Sequence, residues 1–413
     1  MTSAQAAATL GITIQTLYAY ISRGILRSEP VPGKSRSKRY LAEDVVRLKE
    51  RKELRGDPDS GSRRSLHWGG PVLESAITAI EAGCVYYRGK DAIELAEKSS
   101  VEEVAALLWT GDERHAKDLF RSKGLPSRRI GVELAEGSIA LKNVLRTLAR
   151  EKRLGPIERC QIVLPWIGAA DTSAYDIRPS SIATTGAKIL AVLASVIAGS
   201  GSGDSVDRVL QGAWAPRRTK ARAALRAALI LCADHELNVS AFTARCVASA
   251  AATLYDVVGA GLAAMKGRKH GGMTLRVEAL FDEAGVAPSA ADTIESRLRR
   301  GENLPGFGHP LYPEGDPRGR MLISMADKAG LRGQAQIGRE LCRAAVEMTG
   351  EHPTLDFGLV ALARSFGFPA GSAIALFALG RTIGWIAHAI EQYESGELIR
   401  PRAHYVGPPP SLP

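Results

Sequence analysis

Cysteine is scarce in this 413-residue chain, and the little there is has no pattern. Cys84, Cys160, Cys232, Cys246 and Cys342 are odd in number and scattered, without a CxxC or any Cys/His spacing suited to zinc. Neither a disulfide framework nor a zinc site is expected, and the five read as reduced, buried apolar side chains. Long hydrophobic runs are also missing: the longest strongly apolar stretch, Ile189 to Ala198, is about ten residues, against roughly 20 for a bilayer span. The first residues hold no apolar signal core. A cytoplasmic protein with no membrane partner is therefore the expectation. Alternating runs of β-branched residues are few and no internal repeat stands out, which leaves the α-helix as the principal element.

What is present supports a packed, mostly helical protein. The chain is 45% hydrophobic and long enough for two or three domains. Helical periodicity recurs in SVEEVAALLW (100–109), TTGAKILAVLASVIA (184–198) and the Ala/Arg-rich stretch near 221–230. Net charge is +10, and it is concentrated at the front: residues 1–66 hold 13 Lys/Arg against 7 Asp/Glu. The Pro-rich end, GPPPSLP, reads as a mobile tail.

The front segment SAQAAATLGITIQTLYAYISRGIL reads as two short helices around a tight turn. Ser3 can cap the first, Gly11 breaks it, and Thr13 can cap the second, whose Leu17, Tyr20 and Ile21 share one face. A basic run, KSRSKRY (34–40), precedes an amphipathic helix, EDVVRLKERKELR (43–55), with acids at its start and bases at its end. Residues 1–55 thus resemble the winged helix-turn-helix module of MerR-type regulators. The resemblance implies duplex DNA as a partner, read by two copies at fixed spacing. A Gly/Ser/Asp linker follows at 56–66.

Further on, PGFGHPLYPEGDPR (305–318) cannot be helix interior: Pro310, Pro313 and Pro317 lack amide donors, and Gly306 and Gly308 weaken a helix. A rigid loop that fixes an imidazole and a guanidinium can bind anions and handle protons, though a solvent-facing turn would look similar. It belongs to an ordered set: YRG (87–89), HELNVSAF (235–242), GRKHGG (267–272), this loop, TLDFGLVAL (354–362), RTIGWIAHAIEQ (381–392) and IRPRAHY (399–405). In that order these motifs resemble the citrate synthase family, over roughly residues 67–406.

The resemblance implies an all-α, two-domain body, with a large domain of 67–270 plus 369–413 and a small domain of 271–368 that closes over its substrate. It implies a homodimer, and a reaction joining acetyl-CoA to oxaloacetate with water to give citrate and CoA. Such a condensation needs a base for the thioester's α-carbon, a donor for the enolate oxygen and an acid at the ketone. Asp356 matches the family's base, His270 the group bonded to the thioester oxygen, and His309 the histidine that protonates the ketone oxygen. At a helix N-terminus, His270 would be favoured as neutral imidazole. His235, Arg318, Arg381 and Arg400 match the oxaloacetate contacts, the last contributed by the neighbouring subunit in that family. Leu304, Pro305, Gly306, Phe307 and Gly308 should border the CoA adenine. No metal and no cofactor beyond the CoA thioester is expected.

Other histidines, His67, His115, His352, His388 and His404, read as structural or surface residues, although His388 follows Arg381 by seven and can share its helical face. The chain departs from the family pattern where His270 is followed by Gly-Gly-Met-Thr, and where Pro313 and Glu314 stand in place of a basic residue. Lys266, Arg268 and Lys269 are candidate cations for the CoA phosphates instead. Two alternatives stay open: a propionyl-CoA enzyme making 2-methylcitrate, since one methylene is worth only about 1–3 kcal/mol of discrimination, and a DNA-binding regulator that uses the synthase fold as a metabolite sensor. Asp356 argues against a pure sensor, because binding alone does not require it.

Overall fold

The computed structural model describes residues 2–22, 26, 28–30, 38–40 and 45 at the front, and then 73–121, 144, 147–148, 150–151, 153–199, 204–329, 331–403 and 405–409. They divide into two compact units, Met1–Glu74 and Ser75–Pro413.

In the front unit, helices Ser3–Leu10 and Ile14–Ser22 flank a turn in which Gly11 takes a φ of 58°, a left-handed conformation that suits glycine. The first cap is Thr2, one residue earlier than expected. Its backbone N–H donates to Gln5 Oε1 at 2.9 Å while Gln5 N–H donates to Thr2 Oγ1 at 3.3 Å, a reciprocal capping box. Thr13 caps the second helix by accepting from Thr16 N–H at 3.2 Å. An antiparallel pair, Ser28–Pro30 with Lys38–Tyr40, follows the helices. Ala6, Ala7, Leu10, Leu17, Leu26, Tyr40 and Val45 close a small core, with Tyr20 and Ile21 packed against it. Apart from residues 38–40 and Val45, the basic run at 34–40, the helix at 43–55 and the linker at 56–66 lie outside the described residues, as do His67 and His404.

Among its described residues the second unit is helical apart from a three-stranded antiparallel meander, Thr78–Glu81, Cys84–Tyr87 and Lys90–Asp91. The meander escapes a periodicity reading because its strands are so short. Its turns sit at Ala82-Gly83 and Arg88-Gly89, all four residues at positive φ, and the second explains the YRG motif. Tyr87, fully buried, donates its hydroxyl to the carbonyl of Ile230 at 3.0 Å and so ties the meander to the helix Thr219–Leu231.

The axis of this unit is the helix Ser372–Ser395, buried from Ser372 to Ile390. Around it pack Pro179–Ala198, Thr219–Leu231, Val239–Ser249 and Leu254–Met265. Both Pro179–Ala198 and Ser372–Ser395 are long and apolar enough to cross a bilayer, which corrects the expectation of no such run. Here their apolar windows are 72% and 100% buried, so protein rather than lipid covers these faces. A second group, Met273–Val286, Ala290–Arg299, Pro317–Ala329, Arg332–Thr349 and Leu355–Phe366, packs mainly within itself.

Glycine sets how closely these helices approach. A Cβ on Gly380 would lie 2.5 Å from the Leu229 carbonyl oxygen, and one on Gly384 would meet the Ala233 carbonyl and lie 2.5 Å from Asp234 Oδ1. The central helix therefore touches the corner at 232–234 with backbone rather than side chain. Gly384→Ala should gain a little helix propensity, but overpacking outweighs it, for a net loss of about 2 kcal/mol. The expected result is a lower melting temperature in thermal denaturation, and an unchanged one would overturn this close-contact geometry.

Candidate active site

Each candidate side chain is placed by a local feature of the sequence. Helix Thr219–Leu231 ends at a corner that carries Asp234 and His235. Asn238 caps the next helix, its Oδ1 accepting from Ser240 and Ala241 N–H, and this sets buried Ser240 in the first turn. Ser240 Oγ lies 2.8 Å from His270 Nε2, so Nδ1 is the nitrogen left for another partner. Trp385 donates its indole N–H to the same hydroxyl at 3.1 Å, and its ring fits because residue 261 is glycine.

His270 stands two residues before Gly272, the N-cap of Met273–Val286, in a tight turn. Its pKa is pushed down to about 4, first by burial and then by Arg381. Neutral imidazole was expected from the helix terminus, where His270 stands, and burial and a neighbouring cation favour the same form.

The 305–318 loop is rigid for reasons beyond its prolines. Gly308 N–H donates to the His352 carbonyl at 2.9 Å, and Thr354 N–H donates to the Gly306 carbonyl at 2.9 Å, which zips the loop to the segment leading into Leu355–Phe366. Leu311 N–H donates to His309 Nδ1 at 3.2 Å, so neutral His309 carries its proton on Nε2. Asp316 receives Arg318 through two bonds, Nε to Oδ1 at 3.0 Å and Nη2 to Oδ2 at 2.8 Å, and also accepts Leu355 N–H at 3.2 Å. The first turns of Pro317–Ala329 and Leu355–Phe366 nearly touch, since a Cβ on Gly358 would lie 2.9 Å from Gly319 Cα. Arg318 and Asp356 are one residue from this crossing on one helix and two on the other.

The expected residues are brought together, with one exception. His235 and His309 meet edge to face at 5.5 Å between ring centroids. Arg318 and Arg381 are 3% and 1% exposed, and their charges act on both His235 and Asp356. Burial, then Arg318 and Arg381, holds His235 well below the ordinary histidine range, and burial and Arg318 lower His309 as well. Arg381 Nε donates to the Cys232 carbonyl at 2.8 Å, while its Nη1 is buried with no hydrogen-bond partner. Such a donor suits a carboxylate. Arg400 is the exception: it is exposed beyond the central helix and makes no ion pair among the described residues. Leu304, Pro305, Gly306 and Phe307 are buried and Gly308 is exposed. Of the candidate phosphate cations, Lys266 is paired with Glu158 at 2.5 Å.

Asp356 is the most perturbed carboxylate of the group. It occupies the first turn of its helix, where the positive end favours the anion, yet burial pushes its pKa up to about 7 against the pull of Arg318, with Asp316 adding to the rise. Its Oδ1 is buried without a partner.

Sequence reasoning passed over Tyr312 and Asp316. Tyr312 Oη lies 2.7 Å from His235 Nε2, and its ring lies under Arg318 at 5.3 Å and beside His309 at 5.0 Å. Their only sequence signal was membership of the same short loop.

This is a helical body whose imidazoles, buried guanidiniums and near-neutral carboxylate converge from five separate segments, the makings of an acid–base enzyme acting on an anionic substrate. Residues 66–402 match the family profile described as citrate synthase, C-terminal domain, and the chain belongs to the citrate synthase family. Residues 1–57 match the profile of the MerR HTH family regulatory protein. The chain is 32% identical over 375 residues to the citrate synthase of Haloferax volcanii, covering 81% of this chain and 93% of that one. It is 28% identical over 359 residues to a 2-methylcitrate synthase of Mycobacterium tuberculosis, covering 81% and 88%. Among solved structures it is similar to the ternary complex of Thermoplasma acidophilum citrate synthase with carboxymethyl coenzyme A and oxaloacetate. That likeness has a TM-score of 0.68 at 25% identity and covers 83% of this chain and 96% of that one.

Because the folded Asp356 has a pKa near 7 and an unfolded aspartate titrates near ~3.9, the folded chain holds an extra proton between these values. The associated stability is complete below the lower value and is lost as pH rises through the upper one. Asp356→Asn should therefore melt above the parent at pH 8, and the gap between them should widen from pH 5 to pH 8 by an amount on the order of 2 kcal/mol. Melting curves that stay parallel across this range would contradict the assigned burial.

Proposed function

We propose that this protein condenses acetyl-CoA with oxaloacetate and water to give citrate and CoA. The single observation that carries the reading is Asp356: a buried carboxylate with a free oxygen and a pKa near 7, beside two buried arginines. A group titrating near neutrality is half in its basic form at working pH, as proton abstraction from a weak carbon acid demands.

In this reading Asp356 removes a proton from the thioester's α-carbon. His270, neutral, stabilises the enolate oxygen from Nδ1 when the Ser240 hydroxyl turns its one proton from Asn238 Oδ1 to Nε2. Arg318, Arg381 and His235 grip the carboxylates of oxaloacetate, with the orphan Nη1 of Arg381 completing its bonding there. His309 donates from Nε2 to the ketone oxygen as the new carbon–carbon bond forms. Water then hydrolyses the citryl thioester and releases CoA. Arg400 is assigned to the active site of a partner subunit, which fits its exposure here. The backbone from Leu304 to Gly308 is assigned to the adenine, and 271–368 to a domain that closes over the substrates and excludes water.

A second reading, propionyl-CoA as the acyl donor, is supported by the similarity to 2-methylcitrate synthase. We assign residues 1–55 to DNA binding on the MerR match and the basic front, with a dimeric body supplying two copies.

Asp356→Asn should lower CoA release in a thiol-trapping assay about a thousandfold while oxaloacetate binding by calorimetry stays within a fewfold of the parent. Near-normal turnover in this variant would remove the base from the mechanism. Steady-state kinetics with acetyl-CoA and propionyl-CoA in parallel should give a higher kcat/KM for acetyl-CoA, and the reverse order establishes the second reading. In mobility-shift titrations on pooled promoter fragments, affinity should fall steeply with added salt as counterions are displaced. No shift at low salt would leave the front unit without a DNA role.

A further inference from the structure

His388 plays no part in the chemistry above, yet it is fully buried, seven residues after Arg381 on the central helix. Its Nε2 lies 3.3 Å from Oδ1 of Asp234, which is fully buried too; the approach is an electrostatic contact short of hydrogen-bond geometry, and neither atom has a hydrogen-bond partner among the described residues. A carboxylate only accepts, so the contact is attractive when Nε2 carries the imidazole proton. Asp234 is the residue before His235. Its second oxygen, Oδ2, accepts Glu236 N–H at 3.0 Å, so the carboxylate grips the backbone immediately beyond His235. Arg381 Nε holds the Cys232 carbonyl on the near side. The central helix thus fastens the 232–236 corner at two points, two helical turns apart, with Gly384 between them and Gly380 just before the first letting the backbones meet.

We propose that His388 is a positioning residue for the 2-oxo acid side of the site. It anchors Asp234, and through the Asp234 carboxylate it sets the backbone of the corner that aims His235 at its partner Tyr312 and at the substrate. This rests on the reading of His235 as an oxaloacetate contact, but it makes a claim of its own about the unliganded corner. An apolar residue at 388 takes the facing imidazole away from Asp234 Oδ1 in a sealed core, and the corner relaxes toward any donor it can reach. The acyl-CoA side, built on Ser240, His270 and the 305–308 backbone, touches this corner through the long bond from Asn238 Nδ2 to the His235 carbonyl at 3.4 Å, and it is held separately by the Asn238 cap and by Trp385, so it should stay in place.

The experiment uses the full-length protein labelled with 15N-histidine, and the variants His388→Leu, His388→Gln and the double variant Asp234→Asn/His388→Leu. In His388→Leu the His235 imidazole resonances should shift and the calorimetric Kd for oxaloacetate should rise about tenfold, with KM for acetyl-CoA within twofold of the parent. Gln keeps an N–H near the position of Nε2, and it should restore both the resonances and the Kd. The double variant removes the buried charge with its partner, so it should recover the melting temperature lost in His388→Leu without recovering oxaloacetate affinity. That separation of affinity from stability is what a merely structural role would not produce, and it serves as the test even if His388→Leu alone does not fold. Unmoved His235 resonances in every folded variant, or affinity that returns together with stability in the double variant, would overturn the proposal. Failure of the parent to turn over acetyl-CoA would instead count against the proposed reaction and leave the resonance comparison in force.

Discussion

Two guanidinium groups sealed inside a helical core are the constraint around which the rest of this site is organised. Removing a cation from water carries a penalty of several kcal/mol unless charge and hydrogen bonds replace the solvent. Arg318 is answered by a two-pronged bond to Asp316 and by the face of Tyr312. Arg381 is answered less completely: a backbone carbonyl takes Nε, the ring of Phe377 lies 5.2 Å away, and Nη1 has no partner. The imbalance leaves positive potential in a dry space, which disfavours a charge on the nearby imidazoles and suits a dianionic ligand.

The same burial sets the carboxylates apart from one another. Asp316 lies against Arg318 and is held below the usual range although burial alone would raise it. Asp234 is likewise pushed up by burial and drawn down further by His388 and Arg381. Asp356, without a bonded cation, goes the other way. Three buried aspartates within one constellation therefore differ in proton affinity because of what each touches, and only one is poised to exchange a proton near neutrality. This division of labour follows from glycine-mediated packing: Gly319 with Gly358 brings two helix starts together, and Gly380 with Gly384 brings the central helix against the 232–234 corner.

Much of this was legible in the chain. The order of the short motifs, the helical periodicity, the turn forced at Gly11 and the rigidity of the 305–318 loop all follow from local residue types, and the structure contains each of them. The meander at 78–91 was not legible, because strands of two to four residues carry too little alternation to register. The buried state of Pro179–Ala198 and Ser372–Ser395 was not legible either: composition reports how apolar a helix is, not what covers it.

The chain alone determined which side chains could do chemistry and in what order they come, since those are properties of residue type and local spacing. Tertiary structure decided how they behave. The proton affinity of Asp356, the open nitrogen on Arg381, the bond between His235 and Tyr312 and the pairing of Asp234 with His388 all arise between residues far apart along the chain. Their physical reason is shared: exclusion of water and proximity of charge depend on which helices pack together, and local spacing holds no record of that.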